Sequence, residues 1–144
     1  MPVQVRLPAP FLAEAEDGKT VQVDSPFICK ELEMNNNCIF CKIINKEIPA
    51  QVIAETETII VIKDIAPETS IHYLIIPKKH FIDITHLTEN DRDYAADILF
   101  MAKQLSDADL QARSFKLINN NGAAVGQTVF HIHVHFCAGK KLSL

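Results

Sequence analysis

The chain has no surplus of positive charge: 14 Lys and Arg stand against 18 Asp and Glu, for a formal net charge of −4. That excludes the basic field that holds a nucleic acid polymer. Backbone amides and neutral histidines can still bind a small anion locally. Long apolar runs are also missing. The longest aliphatic stretches are as short as Ile59 to Ile62, against the roughly 20 residues that span a bilayer. The N-terminus has one Arg, then prolines and acidic residues, without the apolar segment of a signal peptide. No membrane partner and a cytoplasmic location are therefore expected. Cysteine is scarce: Cys29, Cys38, Cys41 and Cys137 are all there is, in a chain that is 48% hydrophobic. Such a core needs no disulfide staples, so a reduced chain is expected. The 144 residues, 22% of them charged, suit one globular domain.

Residues 1–33 differ from the rest. They hold four of the seven prolines (Pro2, Pro8, Pro10, Pro26) and no sustained helical period. They read as an N-terminal extension, flexible or loosely docked, ahead of a domain spanning 34–144 with Met34 as a natural start. In that domain "IFCKIINKE" spaces Ile39, Ile43 and Ile44 as a short helix ended by Pro49. "QVIAET" and "TIIVIKD" read as strands across a turn at Glu55–Thr58, and "IHYLIIP" as a third strand closed by Pro77. Thr88 and Asp91 match a capping box. The helix they open runs to about Leu110, with Tyr94, Ile98, Met101 or Ala102, and Leu105 on one face. "SFKLINN" and "VFHIHVHFC" are the fourth and fifth strands, separated by the turn-prone "NNGAAVGQT". Strands joined by short turns, with one long and one short helix, predict an α+β fold on an antiparallel five-stranded sheet.

Three of the six histidines, His131, His133 and His135, alternate within "FHIHVHF". On a strand they share one face about 7 Å apart, and Ile132, Val134 and Phe136 share the other. Three adjacent rings cannot all be cationic, so neutral imidazoles are expected. A neutral imidazole can be a nucleophile, a base, a hydrogen-bond donor or a metal ligand. Alternation alone leaves these open, together with an ordinary half-exposed strand.

"HIHVHFC" resembles the signature of the histidine triad (HIT) family of nucleotide hydrolases and transferases. "CIFCKIINKEIPAQVI", "DIAPETSIHYLIIPKKH" and "LINNNGAAVGQTVFHIHVHF" resemble, in order and spacing, segments of its Hint branch. The resemblance covers nearly everything after Met34 and nothing before it. It implies a homodimer with a ten-stranded sheet across two subunits. It also implies binding of a purine nucleotide (AMP or GMP, or a phosphoramidate of either) and cleavage at the α-phosphate.

The resemblance further implies that His133 is the nucleophile that forms a nucleotidyl-histidine, flanked by His131 and His135, with His135 contacting phosphate or protonating the leaving amine. His72 matches the family's fourth histidine, expected to donate to a backbone carbonyl through one nitrogen. Asn120, Gln127 and Thr128 match contacts to the α-phosphate and leaving group, and Gly126 the close approach of backbone amides to phosphate. Asp64 matches the carboxylate that accepts the ribose hydroxyls. Ile39, Phe40, Ile43 and Ile65 match the slot for the base. Cys38, Cys41, His80 and His131 stand where some members bind structural zinc, although the chemistry requires no cofactor. Two departures stand out. Val125 replaces the first of two glycines before Gln127, and the chain ends at "CAGKKLSL" without the aromatic, Pro-rich tail of eukaryotic members.

The expected function is a HIT-family hydrolase that splits the P–N bond of purine nucleoside 5′-phosphoramidates. The alternatives are a dinucleoside polyphosphate hydrolase, a nucleotide-binding interaction module with negligible turnover, and a zinc protein in which the histidines are ligands.

Overall fold

A computed structural model describes residues 37–141; the extension read at 1–33 lies outside the described residues. Cys38 opens the first helix, α1 (Ile39–Ile44), its Sγ accepting the Cys41 N–H at 3.3 Å. The helix ends when Lys46 adopts a positive φ of 68°. Strands β1 (Val52–Glu55) and β2 (Ile59–Lys63) form a hairpin. Its turn is closed by Thr56, whose Oγ1 accepts the N–H groups of Thr58 and Ile59. Strand β3 (Thr69–Pro77) pairs antiparallel with β2. Thr88 and Asp91 make the reciprocal capping box read from the sequence, on a 3-10 turn that feeds α2 (Arg92–Ala108). Strands β4 (Phe115–Ile118) and β5 (Val134–Lys141) complete an antiparallel sheet of order β1-β2-β3-β5-β4. Among the described residues the α+β reading with five antiparallel strands, one long helix and one short helix holds. The long helix stops at Ala108 rather than Leu110 because Asp109 is extended (φ −142°, ψ 123°).

The sheet is covered on both faces. Met101, Ala102 and Leu105 of α2 pack with Ile59, Val61, Ile71, Ile75, Phe136 and Ala138 on one side. Phe40, Cys41, Ile43 and Ile44 of α1 pack with Ile60, Ile62, Leu74 and Ile76 on the other. Burial on both faces explains why β2 reads as the unbroken apolar run Ile59 to Ile62 instead of alternating. Near the far end of β5, Gly139 has φ +82°, and a Cβ there would meet the Ser70 hydroxyl. That hydroxyl accepts the Lys140 N–H at 3.0 Å, so the two strands lie closer than a side chain permits.

One expectation about the histidine strand needs correction. β5 begins at Val134, so His131 and His133 lie in the segment before it. The alternation itself persists across that boundary. Phe40 of α1 meets the rings of His131 and His133, and the His133 and His135 rings are 5.3 Å apart, whereas Val134 and Phe136 pack in the α2 cluster. What differs between the histidines is their partners.

Candidate active site

The chain reverses after β2, and the Asp64 N–H donates to the His72 carbonyl at 3.0 Å. This places the Asp64 carboxylate beside the His72 ring on β3. In β5, His135 lies opposite Leu74 of β3 and Ile118 of β4. Four side chains therefore converge. His72 Nε2 is 3.0 Å from His135 Nδ1 and 3.2 Å from Asp64 Oδ2. His135 Nδ1 is 3.8 Å from the same carboxylate oxygen. The rings of His133 and His135 are 5.3 Å apart.

Hydrogen bonds assign the protons. His133 Nδ1 lies 2.8 Å from the His131 carbonyl, which can only accept, so Nδ1 carries the proton and Nε2 the lone pair. Burial pushes the His133 pKa below the ordinary imidazole value; the bond to the His131 carbonyl and the charge of Asp64 oppose this. A neutral ring with its lone pair on Nε2 is the nucleophilic form. Phe40 meets the ring edge-on, with centroids 5.0 Å apart. His72 departs from its expected role: its Nδ1 accepts the Glu68 backbone N–H at 3.0 Å and donates to no carbonyl. Its proton is therefore on Nε2, directed at His135 Nδ1 and Asp64 Oδ2.

His131, expected to flank the nucleophile, belongs to a second cluster. It is fully buried, and its Nε2 donates to the Pro77 carbonyl at 2.8 Å. Its Nδ1 lone pair faces Cys38 Sγ at 3.4 Å, Cys41 Sγ at 3.6 Å and His80 Nδ1 at 3.1 Å, and Cys41 Sγ lies 3.3 Å from His80 Nδ1. Burial above all drives its pKa down to about 3, and burial likewise lowers that of His80. A tetrahedral zinc ion, with Zn–S near 2.3 Å and Zn–N near 2.0–2.1 Å, sets S–N edges of about 3.6 Å and an N–N edge of about 3.3 Å. The four donors, all within 4.8 Å of one another, fit those edges. To serve as a ligand, Cys41 must be a thiolate. The two clusters share a backbone, because the carbonyl that holds His133 belongs to His131.

The remaining expected site residues are less concentrated. Phe40 and Ile43 are buried in the α1 cluster, whereas Ile39 and Ile65 are exposed, Ile65 almost completely. Gln127 is buried and its amide is fully engaged. Oε1 accepts the Gly122 N–H at 2.7 Å, and Nε2 donates to the carbonyls of Ile82 and Val129. Its side chain braces the loop and leaves no group directed at a phosphate. The Gly126 and Gln127 N–H groups are likewise spent on Ala123 and Gly122 carbonyls. Gly126 is left-handed (φ 106°) with the Asn120 side chain beside it, and Thr128 is exposed. Sequence reasoning missed the backbone partners that set the tautomers: the carbonyls of Pro77 and His131 and the Glu68 N–H. Every residue has such groups, so no residue type marks them.

The profile of a family described as "Scavenger mRNA decapping enzyme C-term binding" matches residues 37–143. An uncharacterised HIT-like protein of Synechocystis is 40% identical over 111 residues, 76% of this chain and 96% of the relative. The chain belongs to the histidine triad family. Protein HitA of Neisseria gonorrhoeae is 38% identical over 100 residues, covering 69% of this chain and 94% of HitA. Among solved structures, a HIT family hydrolase from Legionella pneumophila is 41% identical, with a TM-score of 0.69 over 74% of this chain and 96% of that one. A histidine triad protein from Clostridium difficile is 33% identical, with a TM-score of 0.71 over 78% and 98%. The HIT domain here thus has the fold of HIT-family hydrolases. Among the described residues, no helix is long and apolar enough to cross a membrane.

Proposed function

We propose that this HIT protein is a purine nucleoside phosphoramidase. His133 Nε2 attacks the α-phosphorus of an adenosine 5′-phosphoramidate as the P–N bond breaks, and the amine departs with a proton. Water then hydrolyses the nucleotidyl-His133 and releases AMP. The observation that carries this reading is the His133 Nδ1–H bond to the His131 carbonyl, which leaves Nε2 as an unprotonated nucleophile in a half-buried setting. The chemistry needs no metal. A zinc ion on Cys38, Cys41, His80 and His131 would cross-link α1 to the β3 end and to the segment carrying His133, a structural role. A homodimer is part of the reading. Support comes from the outer edge of β4, which pairs with no further strand among the described residues, and from Phe115, Leu99, Phe100 and Leu110, which leave apolar surface exposed on β4, on α2 and in the segment between them.

The test is AMP release from an adenosine alkylphosphoramidate by the wild type and by His133→Ala. Release by the wild type and none above background by the variant is expected. Unchanged activity in the variant removes the nucleophile assignment. AMP binding without turnover in either points to an interaction module, and much faster cleavage of a diadenosine polyphosphate points to the other hydrolase branch.

A further inference from the structure

His72 makes one proton available to two acceptors. Its Nδ1 is occupied by the Glu68 N–H, so its single proton sits on Nε2, between His135 Nδ1 at 3.0 Å and Asp64 Oδ2 at 3.2 Å. The same three side chains are close enough to hold a metal ion, but His72 would have to bind it through the nitrogen that carries the proton. The Glu68 bond rules that tautomer out. The arrangement suits proton handling.

When His135 is neutral, its Nδ1 accepts from His72 and its proton lies on Nε2. When His135 gains a second proton, on Nδ1, the His72 donor must turn away, and Asp64 Oδ2 is where it can turn. That oxygen, 3.8 Å from His135 Nδ1, needs a shift of only about 1 Å to accept from it as well. Asp64 Oδ1 is meanwhile fixed by the Ala66 N–H at 2.8 Å. We infer that Asp64 is a positioning residue for His135: it holds the Nδ1–H of the imidazolium, so that Nε2–H is presented to the leaving amine. This rests on the phosphoramidase reading and adds an orienting carboxylate to it.

The protons balance. As His133 Nε2 bonds to phosphorus, the P–N electron pair goes to the departing amine, which takes the Nε2 proton of His135. His135 is left neutral, with its remaining proton on Nδ1 and directed at Asp64. In the second step His135 Nε2 takes a proton from water, the hydroxyl oxygen bonds to phosphorus, and the bond to His133 Nε2 breaks. His135 returns to the imidazolium. The groups facing it are His133 from the preceding segment, His72 from β3, and Asp64 and Glu68 from the connection between β2 and β3. On β4 the opposing residue is the apolar Ile118, with Lys116 opposite Cys137, two residues further along β5. Burial, then His133 and His72, disfavour the charged form; Asp64 and Glu68 favour it.

The experiment compares wild type with Asp64→Asn on two substrates. An adenosine alkylphosphoramidate has an amine that must be protonated to leave. The p-nitrophenyl ester of AMP has a leaving group that needs no proton. The variant should lose about 100-fold or more in kcat on the first, the scale of general-acid catalysis, and little on the second. Equal losses on both, expressed in KM and accompanied by loss of preference for ribose over 2′,3′-dideoxyribose, would overturn the inference and return Asp64 to the ribose. A second readout does not need turnover. Long-range 1H–15N spectra should show neutral His135 protonated on Nε2, with a titration midpoint that falls in Asp64→Asn. An unmoved midpoint overturns the pairing. A moved midpoint in a wild type that cleaves neither substrate supports the pairing and removes the phosphoramidase reading.

Discussion

The replacement His131→Phe separates the two roles the sequence allowed this ring. The imidazole is fully buried, donates to the Pro77 carbonyl and meets Phe40 edge-on with centroids 5.8 Å apart. Phenylalanine keeps most of the packing but leaves the buried Pro77 carbonyl without its donor, a cost of about 1–3 kcal/mol. The pH dependence supplies a second magnitude. The folded pKa of about 3 lies below the ordinary value of about 6.5, so the unfolded chain binds the proton first. Stability from this residue is therefore complete above about pH 6.5 and is lost as pH falls from there toward the folded value. Between pH 7 and pH 5 the loss is about 2 kcal/mol for this group. In metal-free protein, urea unfolding at those two pH values should show this slope in the wild type. In His131→Phe the slope should be smaller by about the same 2 kcal/mol. The folded variant should retain AMP release, because the main-chain carbonyl that holds His133 remains. Equal pH slopes in the two proteins, or a loss of kcat as deep as that of His133→Ala in a stably folded variant, would refute the structural role and return His131 to the catalytic group.

Three further outcomes follow from the same structure. Gly139→Ala should cost about 1–2 kcal/mol for the left-handed backbone alone, plus the clash with Ser70, and pairing it with Ser70→Ala should recover the clash portion in thermal unfolding. Asp91→Asn should cost about 1–3 kcal/mol in urea unfolding, because it removes the charge that holds Lys79 at 3.0 Å and weakens acceptance from the Thr88 N–H and hydroxyl. Burial pushes the Asp91 carboxyl upward, but those partners outweigh it and set it below the usual range. Its stabilisation is therefore present above about pH 4 and lost as pH falls through the folded value, a loss the Asn variant should not show. Finally, reduced protein titrated with zinc should bind one ion per chain through Cys38, Cys41, His80 and His131. Cys38→Ser should weaken that binding with little change in turnover at saturating substrate, and a metal-dependent kcat would contradict the structural assignment.

How much of this was legible depended on whether the signal lay in side-chain pattern or in backbone. The capping box of Thr88 and Asp91 and the buried face of Tyr94, Met101, Ala102 and Leu105 are periodic, and the long helix follows from them. The strands followed from apolar runs punctuated by Pro77 and the Thr56 turn. The alternation of His131, His133 and His135 held as a pattern of sides, but period two was also taken to mean one strand and one task. The strand begins one residue after His133. Cys38 at the N-cap of α1, Cys41 within it and His80 just past β3 draw His131 into their own cluster, and only the fold brings those elements together. The inner logic of the site was invisible for another reason. Whether His72 accepts or donates at Nδ1 is decided by a Glu68 amide, and the tautomer of His133 by a carbonyl two residues away. Side-chain identity says that an imidazole is present; the main chain decides which nitrogen holds the proton. That makes Asp64 the informative position. Its oxygens already serve Ala66 and His72, so any ribose it receives must compete with the histidine pair, and the leaving-group dependence of Asp64→Asn reports which of the two it serves.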